Sequence, residues 1–305
     1  MGDLKLFRLE GVGATELAGT AVHVEKSLQD LIERHLEVFL AVRFLKSEHV
    51  TGKVHGGRID TLGLDENDSP VIVEYKRSTN ENVINQGLFY LDWLLDHRAE
   101  FQLLVMNLLG ADVAERIDWS FPRLICIAGN FTRYDEHAVQ QMGRNIELIR
   151  YRQFGEDLLA LEQVNAPKNL GSGGTASGHK PAQTAAAAKT VTDYLAQAPA
   201  SLRQLYDDLQ AFVVSLGDDV QEKTTKYYVA FRRLRNFACV EVHPQAHELL
   251  VFAKLDPDSI RLEAGFTRDV RQVGHFGTGD VEIRVKDREM LECAKPLVQA
   301  SYEAS

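Results

Sequence analysis

One stretch of low complexity constrains the fold of this chain more than any other feature. Residues 166–190 read APKNLGSGGTASGHKPAQTAAAAKT, a segment rich in Gly, Ala, Ser, Thr and Pro that has no periodic apolar residues. Such a composition is typical of a flexible linker, because it offers too little apolar surface to fix a packed structure. The sequence therefore predicts two domains, at residues 1–165 and 191–305, joined by a linker at 166–190.

The composition is that of a globular protein. Hydrophobic residues make up 45% of the 305 residues and charged residues 26%, which argues against general disorder. No apolar run reaches the ~18 residues of a membrane helix, and the N-terminal sequence lacks the features of a secretory signal. Three well-separated cysteines (Cys126, Cys239 and Cys293) fit a reducing compartment and do not have the spacing of a zinc site. We expect a cytoplasmic protein with no membrane association.

The net charge of −10 disfavours a protein that coats nucleic acid. Its distribution is uneven. Residues 1–165 carry 17 basic and 26 acidic residues, or −9, residues 166–190 carry +3, and residues 191–305 carry 14 basic and 18 acidic residues, or −4. Acids concentrated in the first domain can serve as metal ligands, and a bound cation would then offset their charge.

The first domain has the pattern of a mixed α/β fold. Helical spacing of apolar residues predicts helices at 26–44 and 81–97. Strands are predicted at 58–64 and 71–75, on either side of the polar turn DENDSP, and further strands at 121–128 and 146–151. We expect a restriction-endonuclease-like mixed sheet flanked by helices.

The second domain has the pattern of an α+β fold. Helices are predicted at 192–216 and 220–234, strands at 237–242, 248–254 and 281–285, and a closing helix at 287–303.

The chemistry of the first domain centres on Asp60, Glu74 and Lys76. Side chains alternate along a strand, so Glu74 and Lys76 project from the same face. A hairpin loop centred on Asn67 places Asp60 directly opposite Glu74, with Cβ atoms about 4.5–5.5 Å apart. Two carboxylates this close favour a cation between them, and hard oxygen ligands suit Mg²⁺ or Mn²⁺. The alternative is a solvated sheet face with cross-strand ion pairs.

Three further residues are candidates for the same site. Gln86 and Tyr90 are spaced i, i+4 and so share one face of the helix at 81–97. Glu33, in the first helix, could supply a third carboxylate, with Glu37 as a competitor. Arg58 is expected to leave the strand on the face opposite Asp60 and to have no catalytic role.

These residues carry a resemblance to a known family. The chain resembles the PD-(D/E)xK nuclease superfamily in the motif Asp60…Glu74-x-Lys76 with Gln86-x-x-x-Tyr90. It is most similar to NucS-type endonucleases in the segments GGRIDTLGLD, PVIVEYKRS and NQGLFYLDW. The resemblance covers about residues 25–155. It implies that Asp60, Glu74 and Glu33 bind metal, that Lys76 is the catalytic lysine, and that Gln86 and Tyr90 complete the site. The implied activity is Mg²⁺- or Mn²⁺-dependent cleavage of DNA in repair or in defence.

The second domain resembles an uncharacterised domain family appended to such nucleases, through KYYVAFRRLRNFACVEV and VGHFGTGDVEIRV. Basic and aromatic residues alternate in the first of these segments, as in surfaces that contact phosphates and stack on bases. The candidate nucleic-acid contacts are Lys223, Lys226, Tyr227, Arg232, Arg233 and Arg235. The alternative is a solvated helix face.

Three functional hypotheses follow. The first is a metal-dependent DNA endonuclease, and two active sites in a homodimer are the simplest means of cutting both strands. The second is a nucleic-acid-binding or partner-recruiting module that keeps the fold without cleavage. The third makes the second domain the sensor that directs the nuclease.

Overall fold

The computed structural model of the protein describes residues 4–11, 13–20, 25–52, 56–76, 82–165 and 190–305. The chain divides into two compact units, Met1–Pro167 and Lys168–Ser305. The linker predicted at 166–190 lies outside the described residues apart from Thr190. The mixed α/β architecture predicted from the sequence is confirmed.

The first unit is built on a mixed sheet. Within the described residues it has seven strands, of which six run in the order β3-β8-β7-β6-β5-β4 and the seventh, β9, also pairs with β8. The β6–β7 and β7–β8 pairs are parallel and the others antiparallel. The strands are β3 (Gly19–Thr20), β4 (Val42–Val50), β5 (Arg58–Asp65), β6 (Pro70–Lys76), β7 (Arg123–Ala128), β8 (Ile146–Phe154) and β9 (Leu158–Gln163). A separate hairpin of β1 (Leu6–Glu10) and β2 (Gly13–Leu17) precedes the sheet.

Helices connect the strands and cover the sheet. Each parallel pair needs a crossover connection, and helices supply it between β6 and β7 and between β7 and β8. A core of buried apolar residues from the central strands packs with Leu91, Trp93 and Phe101 of the first crossover. The helices are α1 (Glu25–Arg34), α2 (Leu36–Leu40), α3 (Asn82–Asp96), α4 (Arg98–Leu109), α5 (Ala111–Glu115) and α6 (Arg133–Gln141).

The second unit has its own sheet and core. Its six described strands run in the order β10-β11-β12-β13-β15-β14, and all neighbours are antiparallel. One face packs on α8 and α9 through residues such as Leu209, Val240 and Val298. The elements are α7 (Val191–Gln197), α8 (Ala200–Val214), β10 (Gln221–Thr224), β11 (Val229–Arg232), β12 (Asn236–His243), β13 (Glu248–Ala253), a 3₁₀ turn (Pro257–Ser259), β14 (Thr267–Asp269), β15 (Val281–Val285) and α9 (Arg288–Glu303).

Three of the predicted helices differ from the structure. The segment expected as one helix at 26–44 forms α1 and α2, divided at His35, and the helix ends at Leu40 because Ala41 takes a left-handed conformation with φ 51° and Val42 begins β4. The helix expected at 220–234 is the hairpin β10–β11, in which Val229 and Phe231 are strand-forming residues held by cross-strand pairing. The helix expected at 192–216 is divided at Pro199, which has no amide hydrogen to donate.

Candidate active site

The β5–β6 hairpin brings Asp60 and Glu74 together. The strands pair from Thr61 opposite Val73 to Leu64 opposite Pro70, which is the predicted register and puts Asp60 opposite Glu74. The amide of Asp60 donates to Glu74 Oε1 at 3.2 Å. The amide of Tyr75 donates to Asp60 Oδ2 at 3.1 Å. Each carboxylate is thus held against the backbone of the neighbouring strand.

Burial makes this carboxylate pair electrostatically unusual. Glu74 is fully buried, and its Oε2 atom has no hydrogen-bond partner among the described residues. Burial, followed by the neighbouring charge of Asp60, raises the pKa of Glu74 to about 9. Burial also raises the pKa of Asp60, although the amide of Tyr75 and the charge of Lys76 lower it in part. Ionising both carboxylates at once therefore costs free energy, unless a cation lies between them.

Lys76 lies beside the pair and bonds to a residue that the sequence reasoning missed. Its Nζ is 3.0 Å from Glu25 Oε1, in the first turn of α1. Burial lowers the pKa of Lys76, but the hydrogen bond and charge of Glu25 outweigh it, so that the pKa is raised. Lys76 therefore stays an ammonium group at neutral pH. The sequence signal for this contact was the i, i+4 spacing of Glu25 and Gln29, which puts both residues on one face of α1. That face lies against the site, since Gln29 donates to the carbonyl of Asp60 at 2.8 Å.

Glu33 is directed elsewhere. Its Oε1 accepts hydrogen bonds from Gln29 Nε2 at 2.9 Å and from Thr61 Oγ1 at 2.6 Å. Thr61 follows Asp60 along β5, so its side chain leaves the sheet on the opposite face. In the part of the chain that the structure describes, Glu33 does not join Asp60 and Glu74 in a group of three carboxylates arranged to hold a metal.

Gln86 and Tyr90 of α3 reach the start of β5. Gln86 Nε2 donates to Tyr90 Oη at 3.4 Å, and the amide of Arg58 donates to the same oxygen at 3.1 Å. A Cβ atom on Gly57 would lie 2.6 Å from the Tyr90 ring, so only glycine leaves room for this contact. Tyr90 therefore fixes the backbone two residues before Asp60.

The expectation for Arg58 is wrong. Arg58 and Asp60 are two residues apart on the regular strand β5, so they project from the same face of the sheet. The Arg58 side chain is 65% exposed. A cationic group is thus present on the face that carries the carboxylate pair.

The donor set fits a divalent cation only in part. In the ranges that the structure describes, no group of three or more His, Cys, Asp or Glu residues is arranged to hold a metal. Asp60 and Glu74 supply hard oxygen ligands, and the unsatisfied Oε2 of Glu74 is the kind of buried atom that a cation would satisfy. Two carboxylates with water in the remaining positions are a usual coordination for Mg²⁺.

The arginines predicted to contact nucleic acid bond within the second unit. Arg232 is buried and donates to the carbonyl of Leu234 at 3.0 Å. Arg233 Nε donates to Asp219 at 2.6 Å. Arg235 Nη2 donates to the carbonyl of Ala304, at the C-terminus of α9, at 3.3 Å.

The other predicted contacts lie on and after β10. Lys223 pairs with Ala230 in the β10–β11 ladder. Lys226 Nζ lies 4.9 Å from the centroid of the Tyr227 ring, and that ring stacks on Phe276 at 4.4 Å. These basic and aromatic residues belong to strands and a turn instead of the single helix face expected from the sequence.

Comparisons with known proteins give similarities to both units. Residues 191–305 match the model of a domain of unknown function, DUF5655. A protein of Haemophilus influenzae described as an uncharacterized protein is 26% identical over 306 residues, covering 98% of this chain and 100% of its own length. The fold and the carboxylate–lysine arrangement together define a mixed α/β protein with a candidate active site at Asp60, Glu74 and Lys76.

Solved structures are similar over part of the chain. A repair endonuclease from Pyrococcus abyssi aligns with a TM-score of 0.29 and 18% identity, over 44% of this chain and 50% of that one. EndoMS in its apo form gives 0.26 and 17%, over 43% and 48%. EndoMS in complex with dsDNA gives 0.24 and 21%, over 47% and 49%. The chain thus spans about half the length of each, and TM-scores this low do not establish a common fold.

None of the helices in the described ranges has the length and hydrophobicity that a membrane span requires.

Proposed function

We propose that this protein is a nuclease that hydrolyses phosphodiester bonds of DNA with the help of Mg²⁺ or Mn²⁺. The observation that carries the proposal is the buried Asp60–Glu74 pair, with an unsatisfied carboxylate oxygen, next to the ammonium group of Lys76. A structural ion pair would not need two adjacent acids with raised pKa values. Such perturbed groups cluster at functional sites.

The chemistry follows from the state of each side chain. Asp60 and Glu74 would hold the divalent cation, whose Lewis acidity activates water and offsets charge on the phosphate. Lys76 remains protonated because of Glu25, so it acts as a fixed positive charge and not as a base. Its ammonium group would stabilise the charge that develops on the phosphate as water attacks phosphorus and the ester P–O bond breaks. Tyr90 holds the start of β5, which keeps Asp60 in place.

Cleavage assays with purified protein test the proposal. We expect the wild type to cut at least one of four substrates (supercoiled plasmid, linear duplex, mismatched duplex or single strand) with Mg²⁺ or Mn²⁺ and not with EDTA. Asp60→Asn, Glu74→Gln and Lys76→Met should each lower the rate about 100-fold or more. Asp92→Asn, which changes an exposed carboxylate of α3, is the matched control and should cut like the wild type.

Two outcomes would contradict the proposal. One is the absence of cleavage of every substrate by folded wild type. The other is equal cleavage by Asp60→Asn and Asp92→Asn. Glu25→Gln and Glu33→Gln belong in the same series, and the contact with Lys76 leads us to expect the larger loss from Glu25→Gln.

A further inference from the structure

A third carboxylate lies in the same row of the sheet as Asp60 and Glu74. In the β4–β5 ladder, Ser47 pairs with Thr61 and His49 with Ile59, which puts Glu48 opposite Asp60. Glu48 has a φ of 54°, in the left-handed region that non-glycine residues adopt uncommonly. A strained backbone of this kind persists where the surrounding contacts require it, and it is an indication of function.

The carboxylate of Glu48 is directed at two cations. Its Oε1 is 3.2 Å from Lys26 Nζ, and its Oε2 contacts Arg58 Nε. Both of its oxygens thus lie against positive groups, Lys26 and Arg58. In the described ranges no third carboxylate joins Asp60 and Glu74 in a group arranged to hold a metal, so the pairing with Arg58 is the role that the contacts of Glu48 support.

Arg58 is fixed at both ends and still open to solvent. Its backbone amide donates to Tyr90 Oη and its Nε forms an ion pair with Glu48, while 65% of its side chain is exposed. A guanidinium held through Nε keeps its two Nη groups available, and that planar fork matches phosphate oxygens. Solvent at the exposed Arg58 side weakens the contribution of this ion pair to stability, so stability alone gives little reason for the conformation of Glu48.

We propose that Arg58 binds a phosphate of the nucleic-acid substrate next to the Asp60–Glu74 pair, and that Glu48 is the positioning residue that aims its guanidinium. This inference rests on the proposed nuclease function, since it assigns the substrate contact of the same site. The chemistry recognised is a backbone phosphodiester, which carries no base specificity.

Binding and cleavage measured on the full chain test this role. Binding is measured in EDTA, over a range of salt concentrations, with the DNA that the wild type cuts. Cleavage of the same DNA is measured with Mg²⁺ or Mn²⁺. We expect Arg58→Ala to weaken binding about tenfold for every sequence. The salt slope, which is the steepness with which the logarithm of the binding constant falls with the logarithm of the salt concentration, should decrease by about one. Arg58→Lys should keep the slope and lose part of the affinity, because it keeps the charge without the fork. If Arg58→Ala is not folded, Arg58→Gln replaces it.

The matched control is Arg116→Ala. Arg116 is an exposed arginine of the same unit that pairs with Asp68, in the turn at the far end of the β5–β6 hairpin, and its loss should change neither affinity nor slope. Glu48→Gln should raise KM with the salt slope unchanged, and it should add nothing in an Arg58→Ala background.

The failures of the two proposals are distinguishable. Cleavage by the wild type together with identical behaviour of Arg58→Ala and Arg116→Ala overturns the phosphate contact and leaves the nuclease function standing. An equal effect of Glu48→Gln with and without Arg58 overturns the positioning role. A wild type that neither binds nor cuts DNA overturns both the nuclease function and this inference.

Discussion

Among the carboxylates of this site, Glu74 has the most unusual environment. It is fully buried, lies opposite another acid and has one oxygen that makes no hydrogen bond to any described residue. Burying such a group costs free energy unless it is neutral or paired. The protein therefore gives up stability at this position, which is expected where a site is arranged for a ligand instead of for the fold.

The raised pKa of Glu74 predicts a falling stability with pH in the absence of metal. Between the ordinary value of 4.5 and the folded value of about 9, the folded protein holds a proton that the unfolded chain releases. The free energy of unfolding should then decrease as the pH rises, by on the order of 1 kcal/mol per unit. Denaturant unfolding at pH 5.5, 7 and 8.5 in EDTA measures this. Tryptophan fluorescence reports on the first unit alone, because the two tryptophans are Trp93 and Trp119.

Glu74→Gln should remove most of this pH dependence and be more stable than the wild type at pH 8.5. Asp92→Asn should keep the wild-type slope. Mn²⁺ should stabilise the wild type more at pH 8.5 than at pH 5.5, because binding needs the ionised carboxylate. A stability that rises with pH in EDTA would contradict the assignment.

At the scale of elements, close packing of α3 on the sheet sets the position of the candidate site. Gly87 lies in the middle of α3, and a Cβ atom there would be 2.5 Å from Leu124 Cδ1 of β7. Leu124 is fully buried, so its side chain has little room to move. This approach brings the helix near enough for Tyr90 to bond the backbone of β5.

Gly87→Ala should destabilise the first unit by about 1–3 kcal/mol, because the overpacking outweighs the gain in helix propensity. Denaturant unfolding followed by tryptophan fluorescence measures the change. Gly13→Ala is the control, since a Cβ atom there meets only the carbonyl of Glu10, at 3.4 Å. A Gly87→Ala protein as stable as the wild type would show that α3 packs less closely than described.

At the scale of the whole molecule, each of the two units has a hydrophobic core of its own. The first core is built around the β4–β8 strands and α3, and the second around β11, β12, β13 and β15 with α8 and α9. The segment between them has the composition of a linker, and the residues at its positions carry a net charge of +3. The division into domains at 1–165 and 191–305 stays a prediction from composition.

Limited proteolysis tests that division. We expect trypsin to cut first after Lys168 or Lys189, because both lysines lie in the segment whose composition is that of a linker, and linkers are preferred sites of cleavage. Each purified fragment should unfold cooperatively, and tryptophan fluorescence should follow the first fragment only. First cuts inside the described helices and strands, or a fragment without a cooperative transition, would contradict the prediction.

Local chemistry allowed the β5–β6 hairpin to be predicted from the sequence. Its polar turn and its alternation of side chains specify the register by themselves, so the position of Asp60 opposite Glu74 followed without any distant contact. The central helix α3 and the closing helix α9 followed from periodicity in the same way. The side of the sheet on which Arg58 lies is also encoded locally, because alternation along β5 places it on the face of Asp60.

Contacts between residues far apart in the chain were decided by the tertiary structure alone. Residues 220–234 form the β10–β11 hairpin and not the predicted helix. The hairpin is stabilised by cross-strand contacts, and the periodicity of the sequence does not encode these contacts. The contact of Glu25 with Lys76 joins residues 51 positions apart. The sequence by itself therefore determined the carboxylate pair, while the side chains that surround it were settled by how α1, α3 and β4 pack on the sheet. Periodicity records which residues become buried, and it does not record which distant side chain each of them meets.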